Sequence, residues 1–191
     1  MSQINGVVMA GGNSSRMGLD KSFIQYNGQA QYLHVQKLLS AFCNEVYYST
    51  KTDKFKSEKT ILDSPELGDI GPISGIVTCL EKLQSPVFIL GVDYPLIQAE
   101  DIEQIYNLHS ENFMASVFYN PQSGFLEPLI GIYEPAVLPF LKDAIKSGNT
   151  SIQNILSNAS TQKIIPLNIQ RIKSFDLPED AHKLMEGNHE S

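Results

Sequence analysis

The chain contains no tryptophan, only two cysteines and only two arginines among its 191 residues. Cys43 and Cys79 form neither a Cys-x-x-Cys pair nor a zinc-type spacing. A disulfide-stapled secreted scaffold is therefore excluded. With nothing at the N-terminus reading as a signal peptide, reduced structural thiols in a cytoplasmic protein are expected. No apolar run approaches the ~18 residues that a membrane span needs. Charged side chains make up 18% of residues, fewer than the ~25% that is usual. Their balance, 14 Lys+Arg against 21 Asp+Glu, gives a net charge of −7. A global basic field for nucleic acid or anionic lipid is therefore not expected, while a local cationic site is not excluded. The aromatics show no basic stripe between them, so no nucleic-acid stacking platform is expected. His34, His109, His182 and His189 make no HxxxH or HExxH pattern and join no Cys/His cluster, so a zinc site is not expected either. No GxSxG elbow supports acyl transfer.

What the chain does have is an end-to-end alternation of short apolar runs and helical faces. Gly6-Val7-Val8-Met9-Ala10 reads as a buried strand, and Tyr32, Val35, Leu39 and Phe42 fall at helical spacing. Strands are predicted at 45–49 and 59–62. A helix carrying Ile73, Ile76, Val77, Leu80 and Leu83 on one face ends before Pro86, and the strongest buried strand follows at 87–92. A helix near 100–108 and strands near 114–119 and 128–133 come next. Val137, Phe140, Leu141 and Ala144 then mark another helical face, before a last strand near 164–169. Asp176-x-x-Glu179, with Pro178 in the first turn, signals a short final helix. Fully apolar strands alternating with amphipathic helices specify an α/β fold, a largely parallel sheet covered on both faces. No repeat, low-complexity segment or linker divides 1–191, which reads as one domain, with a polar, frayed end at 186–191.

In such sheets ligands bind beyond the carboxyl ends of the strands, so the residues that follow each strand carry the information. After the first comes Gly11-Gly12-Asn13-Ser14-Ser15-Arg16-Met17-Gly18-Leu19-Asp20-Lys21. Its glycines let the backbone approach a ligand and turn N–H groups inward as an anion nest. Arg16 and Lys21 add two cations to an otherwise acidic chain. Together these features fit a triphosphate cradle. The plainer alternative is a glycine-rich turn with solvated charges, and the sharing of one short loop by Gly, Arg and Lys weighs against it. A P-loop is excluded because Leu19 and Asp20 separate Gly18 from Lys21, and no GxGxxG is present. Asp93, directly after 87–92, could hold Mg²⁺, a cation that takes one or two carboxylates and completes its shell with phosphate and water. It could equally cap the turn before Pro95. Asp63, after 59–62, could accept hydrogen bonds from guanine N–H groups or ribose hydroxyls, or form a turn before Ser64-Pro65.

Met9-Ala10-Gly11-Gly12-x-Ser14-x-Arg16-Met17-Gly18-x-Asp20-Lys21 resembles the LAGGxSxRMGxDK signature of the molybdenum cofactor guanylyltransferases, part of the nucleotidyltransferase superfamily. A relaxed form is shared with cytidylyltransferases, and Gly11-Gly12 with Asp20 tilt the match to the guanylyl branch. Gly91-Val92-Asp93-Tyr94-Pro95 is similar to the family's (C/G)DxP metal motif, and Asp63 matches a nucleotide-contacting Asp. Gly71-Pro72-Ile73-Ser74-Gly75 resembles GPLxG, Glu127-Pro128-Leu129 with Tyr133 resembles EPLxxxY, and Gly148 with Ser151 matches GxxS. Ser49 stands where the family often has Asn. The stretch from Ser174 to Asp180 keeps the Pro-Glu-Asp of NxNTPED without its asparagines.

The resemblance implies a three-layer Rossmann-like nucleotidyltransferase fold, with a nucleotide half over about 1–100 and an acceptor half over about 101–185. It implies Arg16, Lys21 and Asp93 as catalytic residues and Asp93 as the Mg²⁺ ligand. Met9, Ala10, Gly11, Gly12, Arg16, Lys21, Ser49, Asp63, Gly71 and Asp93 are implied as nucleotide-binding residues. The implied reaction transfers GMP from GTP to the molybdopterin cofactor and releases pyrophosphate, with molybdoenzymes or their insertion partners receiving the product. Other readings stay open: a cytidylyl- or sugar-phosphate nucleotidyltransferase, a non-catalytic GTP-binding module, or a cofactor-delivery adaptor.

Overall fold

Strand β1 (Asn5–Met9) sends Val7 and Met9 to one face and Val8 to the other, followed by Ala10, and all four are buried. That alternation is the period-2 consequence of a pleated backbone. It divides the core of this computed structural model, which describes residues 3–11, 20–26 and 28–175. Val8 and Ala10 pack with Val35 and Leu39 of α1 (Gln31–Ser40) and with Ile102 and Ile105 of α3 (Ala99–Leu108). Val7 and Met9 pack with Ile73, Ile76 and Val77 of α2 (Pro72–Leu83), Leu141 of α4 (Leu138–Lys146) and Ile155 of α5 (Ile152–Asn158). Helices therefore cover both faces of one sheet.

The other strands are β2 (Val46–Thr50), β3 (Thr60–Leu62), β4 (Val87–Gly91), β5 (Ala115–Asn120), β6 (Phe125–Tyr133) and β7 (Thr161–Ile164). They are ordered β3-β2-β1-β4-β6-β5-β7. β1 runs parallel to β2 and β4, β2 to β3, and β5 to β7, whereas β6 is antiparallel to both neighbours. The mostly parallel α/β sheet read from the sequence is present, and β6 is its exception. β6 returns directly from β5 through a short turn at 121–124, too short for the crossover that a parallel pair requires.

Two sequence readings change. The last strand lies at Thr161–Ile164 rather than near 164–169, and Ile165 and Leu167 are exposed. Its place is set by pairing with β5, Ala115 opposite Thr161, and an edge strand needs little apolar content of its own. Helix α5 was not evident from periodicity. Its single face of Ile152, Ile155 and Leu156 lies on a helix of only seven residues, and Ser151 caps it by accepting from the Asn154 N–H. The final helix expected around Pro178 lies outside the described residues.

Candidate active site

The order β3-β2-β1-β4 means that the chain leaves β1 towards one side of the sheet and later returns to β1's other side. The crevice above the carboxyl ends of β1 and β4 is therefore a topological switch point, the place where ligands settle on open α/β sheets. Met9 and Ala10 are buried there, the Val92 N–H donating to the Met9 carbonyl (3.2 Å) and the Ala10 N–H to the Ser49 carbonyl (2.9 Å). Gly11 follows, with its α-carbon directed at Asp63: a Cβ there would sit 3.4 Å from Asp63 Oδ2. Gly12 and Arg16, with the rest of 12–19, lie outside the described residues.

Asp20 Oδ1 accepts from the Ser22 N–H (3.0 Å) and so starts a 3-10 turn, Lys21–Phe23. Burial raises the Asp20 pKa, but hydrogen bonds from Lys54 and Ser22 outweigh it and leave the carboxyl below its ordinary value. The turn aims Lys21 across the crevice. Its Nζ stands 3.3 Å from Asp93 Oδ1 and donates to the Phe175 carbonyl (2.9 Å), while the Phe175 N–H donates to the Asp93 carbonyl (3.0 Å). Loop, strand end and C-terminal segment thus meet at one ion pair. Tyr26 belongs to the same neighbourhood, burial and the Asp93 charge pushing its phenol above the usual range.

A second polar group lies above β2 and β3. Ser49 is fully buried, and its hydroxyl donates to Asp63 Oδ1 (3.0 Å). Ser74 Oγ is 3.4 Å from Asp63 Oδ2 and donates at shorter range to the Gly71 carbonyl (2.8 Å). Burial pushes the Asp63 carboxyl up, against the pull of these hydroxyls and of Lys51. Gly71 enters α2 with φ 84°, a left-handed conformation that side chains resist, and Pro72 opens the helix. Gly75 is required by space: a Cβ on it would lie 2.6 Å from Ser49 Oγ and 2.7 Å from Met9 Cε.

Periodicity and motif reading missed several residues that the fold brings here. Lys54 Nζ donates to the Ala10 carbonyl (2.9 Å), Asp20 Oδ2 (2.6 Å) and Ser22 Oγ (3.0 Å). Beside it Phe23, Tyr32, Tyr48 and Phe55 form one aromatic cluster, although their scatter along the sequence concealed it. On the β4–β6 side two residues that the sequence motifs did contain are brought together, Tyr94 donating to Glu127 Oε2 (3.1 Å). Glu127 is held there because β6 bulges: Phe118 pairs with Glu127 but Val117 with Gly131. Pro128, which has no N–H for the ladder, falls within the bulge. Both cysteines are free thiols, and burial pushes each up to about 12.

The profile of the MobA-like NTP transferase domain matches residues 6–163, from β1 through β7. The chain belongs to the MobA-like NTP transferase domain family. The molybdenum cofactor biosynthesis bifunctional protein of Synechocystis sp. (strain ATCC 27184 / PCC 6803 / Kazusa) is 31% identical to it over 181 residues, 92% of this chain and 52% of that one. The chain thus spans about half the length of that relative. Molybdopterin-guanine dinucleotide biosynthesis protein A from Archaeoglobus fulgidus superposes with a TM-score of 0.76 at 19% identity, over 98% of this chain and 100% of that one. A CMP:2-keto-3-deoxy-manno-octonic acid synthetase complexed with CTP gives 0.67 at 15% identity, over 98% and 100%. At such identities the two structures share the fold alone.

In this MobA-like domain the donor set at the switch point suits a hard divalent cation. Asp93 offers a carboxylate one-third exposed at a strand end, and among the described residues no group of three or more His, Cys, Asp or Glu could cage a metal. A cation here would complete its shell from phosphate oxygens and water, as Mg²⁺ commonly does. No helix among the described residues is long and apolar enough to cross a membrane.

Proposed function

We propose that this MobA-like domain transfers the GMP moiety of GTP to the molybdopterin cofactor. The observation that carries the reading is the Lys21–Asp93 pair across the carboxyl ends of β1 and β4. It sets a cation and a metal-competent carboxylate side by side at the end of the glycine-rich loop. The relationship to the molybdenum cofactor biosynthesis bifunctional protein supports the choice of acceptor. In this reading 1–191 is one cytoplasmic nucleotidyltransferase domain, with its nucleotide half over about 1–100 and its acceptor half over about 101–185.

An oxygen of the acceptor's terminal phosphate forms a bond to the α-phosphorus of GTP as the bond from that phosphorus to the bridging oxygen breaks, and pyrophosphate leaves. A phosphate monoester is already anionic near neutral pH, so the chain supplies alignment and charge rather than a general base. Met9, Ala10, Gly11 and Gly12 bring backbone to the phosphates. Lys21 and Arg16 offset the charge that develops towards pyrophosphate. Asp93 would hold Mg²⁺, which when bound would neutralise phosphate charge as a Lewis acid. Asp63 accepts from guanine or ribose, with Ser49 fixing its carboxylate from behind and Gly71 beginning the helix that flanks it.

Pyrophosphate release from GTP, Mg²⁺ and molybdopterin, with CTP and ATP in parallel, tests the proposal. GTP-selective, pterin-dependent release is expected, and Asp93→Ala and Lys21→Ala are each expected to lose ~10²-fold in rate. Preference for CTP would make the domain a cytidylyltransferase. Binding of GTP without release would make it a nucleotide-binding or delivery module.

A further inference from the structure

We infer that Lys54 is a positioning residue for nucleotide binding, one that ties Ala10, at the end of β1, to Asp20 and Ser22, at the base of the turn that carries Lys21. The inference rests on the reading of the β1 loop as a nucleotide cradle. An ammonium has three N–H donors, and all three of Lys54 are taken within the protein. One goes to the Ala10 carbonyl, where the loop departs from β1, and two go to Asp20 Oδ2 and Ser22 Oγ, where it returns. The ammonium also faces the rings of Phe55 (5.2 Å) and Phe23 (5.9 Å), and the side chain is 17% exposed. A lysine so engaged has no donor left for a phosphate. Its effect on a ligand passes through the groups it holds.

Those groups are well placed to transmit it. Asp20 begins the 3-10 turn by accepting from the Ser22 N–H, and that turn carries Lys21, the partner of Asp93. Releasing Asp20 from Lys54 therefore loosens the base from which Lys21 reaches across the crevice. The clamp is itself anchored, because Lys54 belongs to the connection between β2 and β3, where the Lys54 N–H donates to the Thr52 carbonyl (2.7 Å) and the Lys56 N–H to Asp53 Oδ1 (3.1 Å).

Preorganisation and catalysis leave different kinetic marks. If only a fraction of molecules holds the Asp20–Phe23 turn in its binding-competent place, apparent affinity falls by that fraction, while molecules that have bound still react. Lys54→Met keeps an unbranched stem against Phe23 and Phe55 and removes the donors. It is expected to raise KM for the nucleotide about tenfold and leave kcat within about threefold. Lys59→Met, at an exposed surface pair with Glu45, serves as the unchanged control. Asp20→Asn should raise KM similarly, and the double variant should be no worse than the more impaired single one, since both cut the same clamp.

A fall in kcat with KM unchanged would overturn the inference by putting Lys54 on the reacting phosphates, and unchanged KM in both single variants would overturn it outright. Hydrogen exchange of the Ser22 and Phe23 amides gives a readout that needs no turnover. These amides donate to Asp20 Oδ1 and to the Asp20 carbonyl, and they should exchange at least tenfold faster in Lys54→Met while β1 amides do not change. If the wild type transfers no nucleotide but exchange responds, the functional reading fails and the clamp stands. If exchange does not respond, the clamp fails whatever the activity.

Discussion

Gly75 shows how narrow the tolerance is at single residues of the site. Adding a methyl group places it 2.6 Å from Ser49 Oγ and 2.7 Å from Met9 Cε. The methionine end can swing aside, but the serine cannot turn away without giving up its hydrogen bond to Asp63. Ala is favoured over Gly in a helix by up to ~1 kcal/mol, and overpacking a filled core costs ~1–3 kcal/mol. Gly75→Ala is thus expected to be net destabilising by roughly 1 kcal/mol, measured by urea denaturation, and to raise KM for the nucleotide through Asp63. Gly75 was visible within the GPISG motif, yet its necessity was not. What makes it indispensable is Met9 and Ser49, one on β1 and the other on β2.

The 3-10 turn at Lys21–Phe23 carries the pH dependence at the scale of an element. Asp20 titrates below its ordinary value because the hydrogen bonds from Lys54 and Ser22 prevail over burial. A carboxyl depressed in the folded state contributes stability above its unfolded pKa, and that contribution disappears as pH falls through the folded value. The wild type is therefore expected to lose stability relative to Asp20→Asn as pH drops below about 4, the difference being constant at higher pH. Thermal melts of both proteins at matched pH check it, and curves that stay parallel below pH 4 would refute it. Among the elements, the long apolar ones were plain from sequence: α2 and β4 lie close to where periodicity put them. β7 was displaced, and α5 was missed because a seven-residue helix offers too few turns for a period to show.

At the scale of the whole molecule, the two ends of the sheet have different tasks. Loop residues and carboxylates gather at the carboxyl ends of β1 to β4, while a buried polar network closes the opposite end. His109 Nε2 lies 2.9 Å from Glu134 Oε1 and Nδ1 lies 2.9 Å from Ser116 Oγ, and Ser116 donates to Gln162 Oε1 (2.8 Å). Because Gln162 Oε1 can only accept, the serine proton is committed to it, and His109 Nδ1 must be the donor to Ser116. The Glu134 carboxyl facing Nε2 is pushed up by burial, against the pull of His109. The network joins the end of α3 to β5, β6 and β7. Removing one partner of a buried pair costs about 3–5 kcal/mol, and His109→Ala is expected to lose about 3 kcal/mol of stability, read by urea denaturation, with nucleotide KM unchanged. A change in KM would mean that the far end of the sheet is coupled to the site.

The sequence by itself determined the α/β class, the glycine-rich loop and the carboxylates Asp63 and Asp93, because strand periodicity and residues that directly follow a strand are local properties. The tertiary structure alone decided that Lys21 meets Asp93, that Ser49 lies behind Asp63, and that Lys54 reaches Ala10, Asp20 and Ser22 together. Lys51, Lys54 and Lys56 are alike in sequence. What separates them is where the β2–β3 connection crosses the ends of the β1 loop. That crossing is set by long-range strand pairing, and no local pattern encodes it.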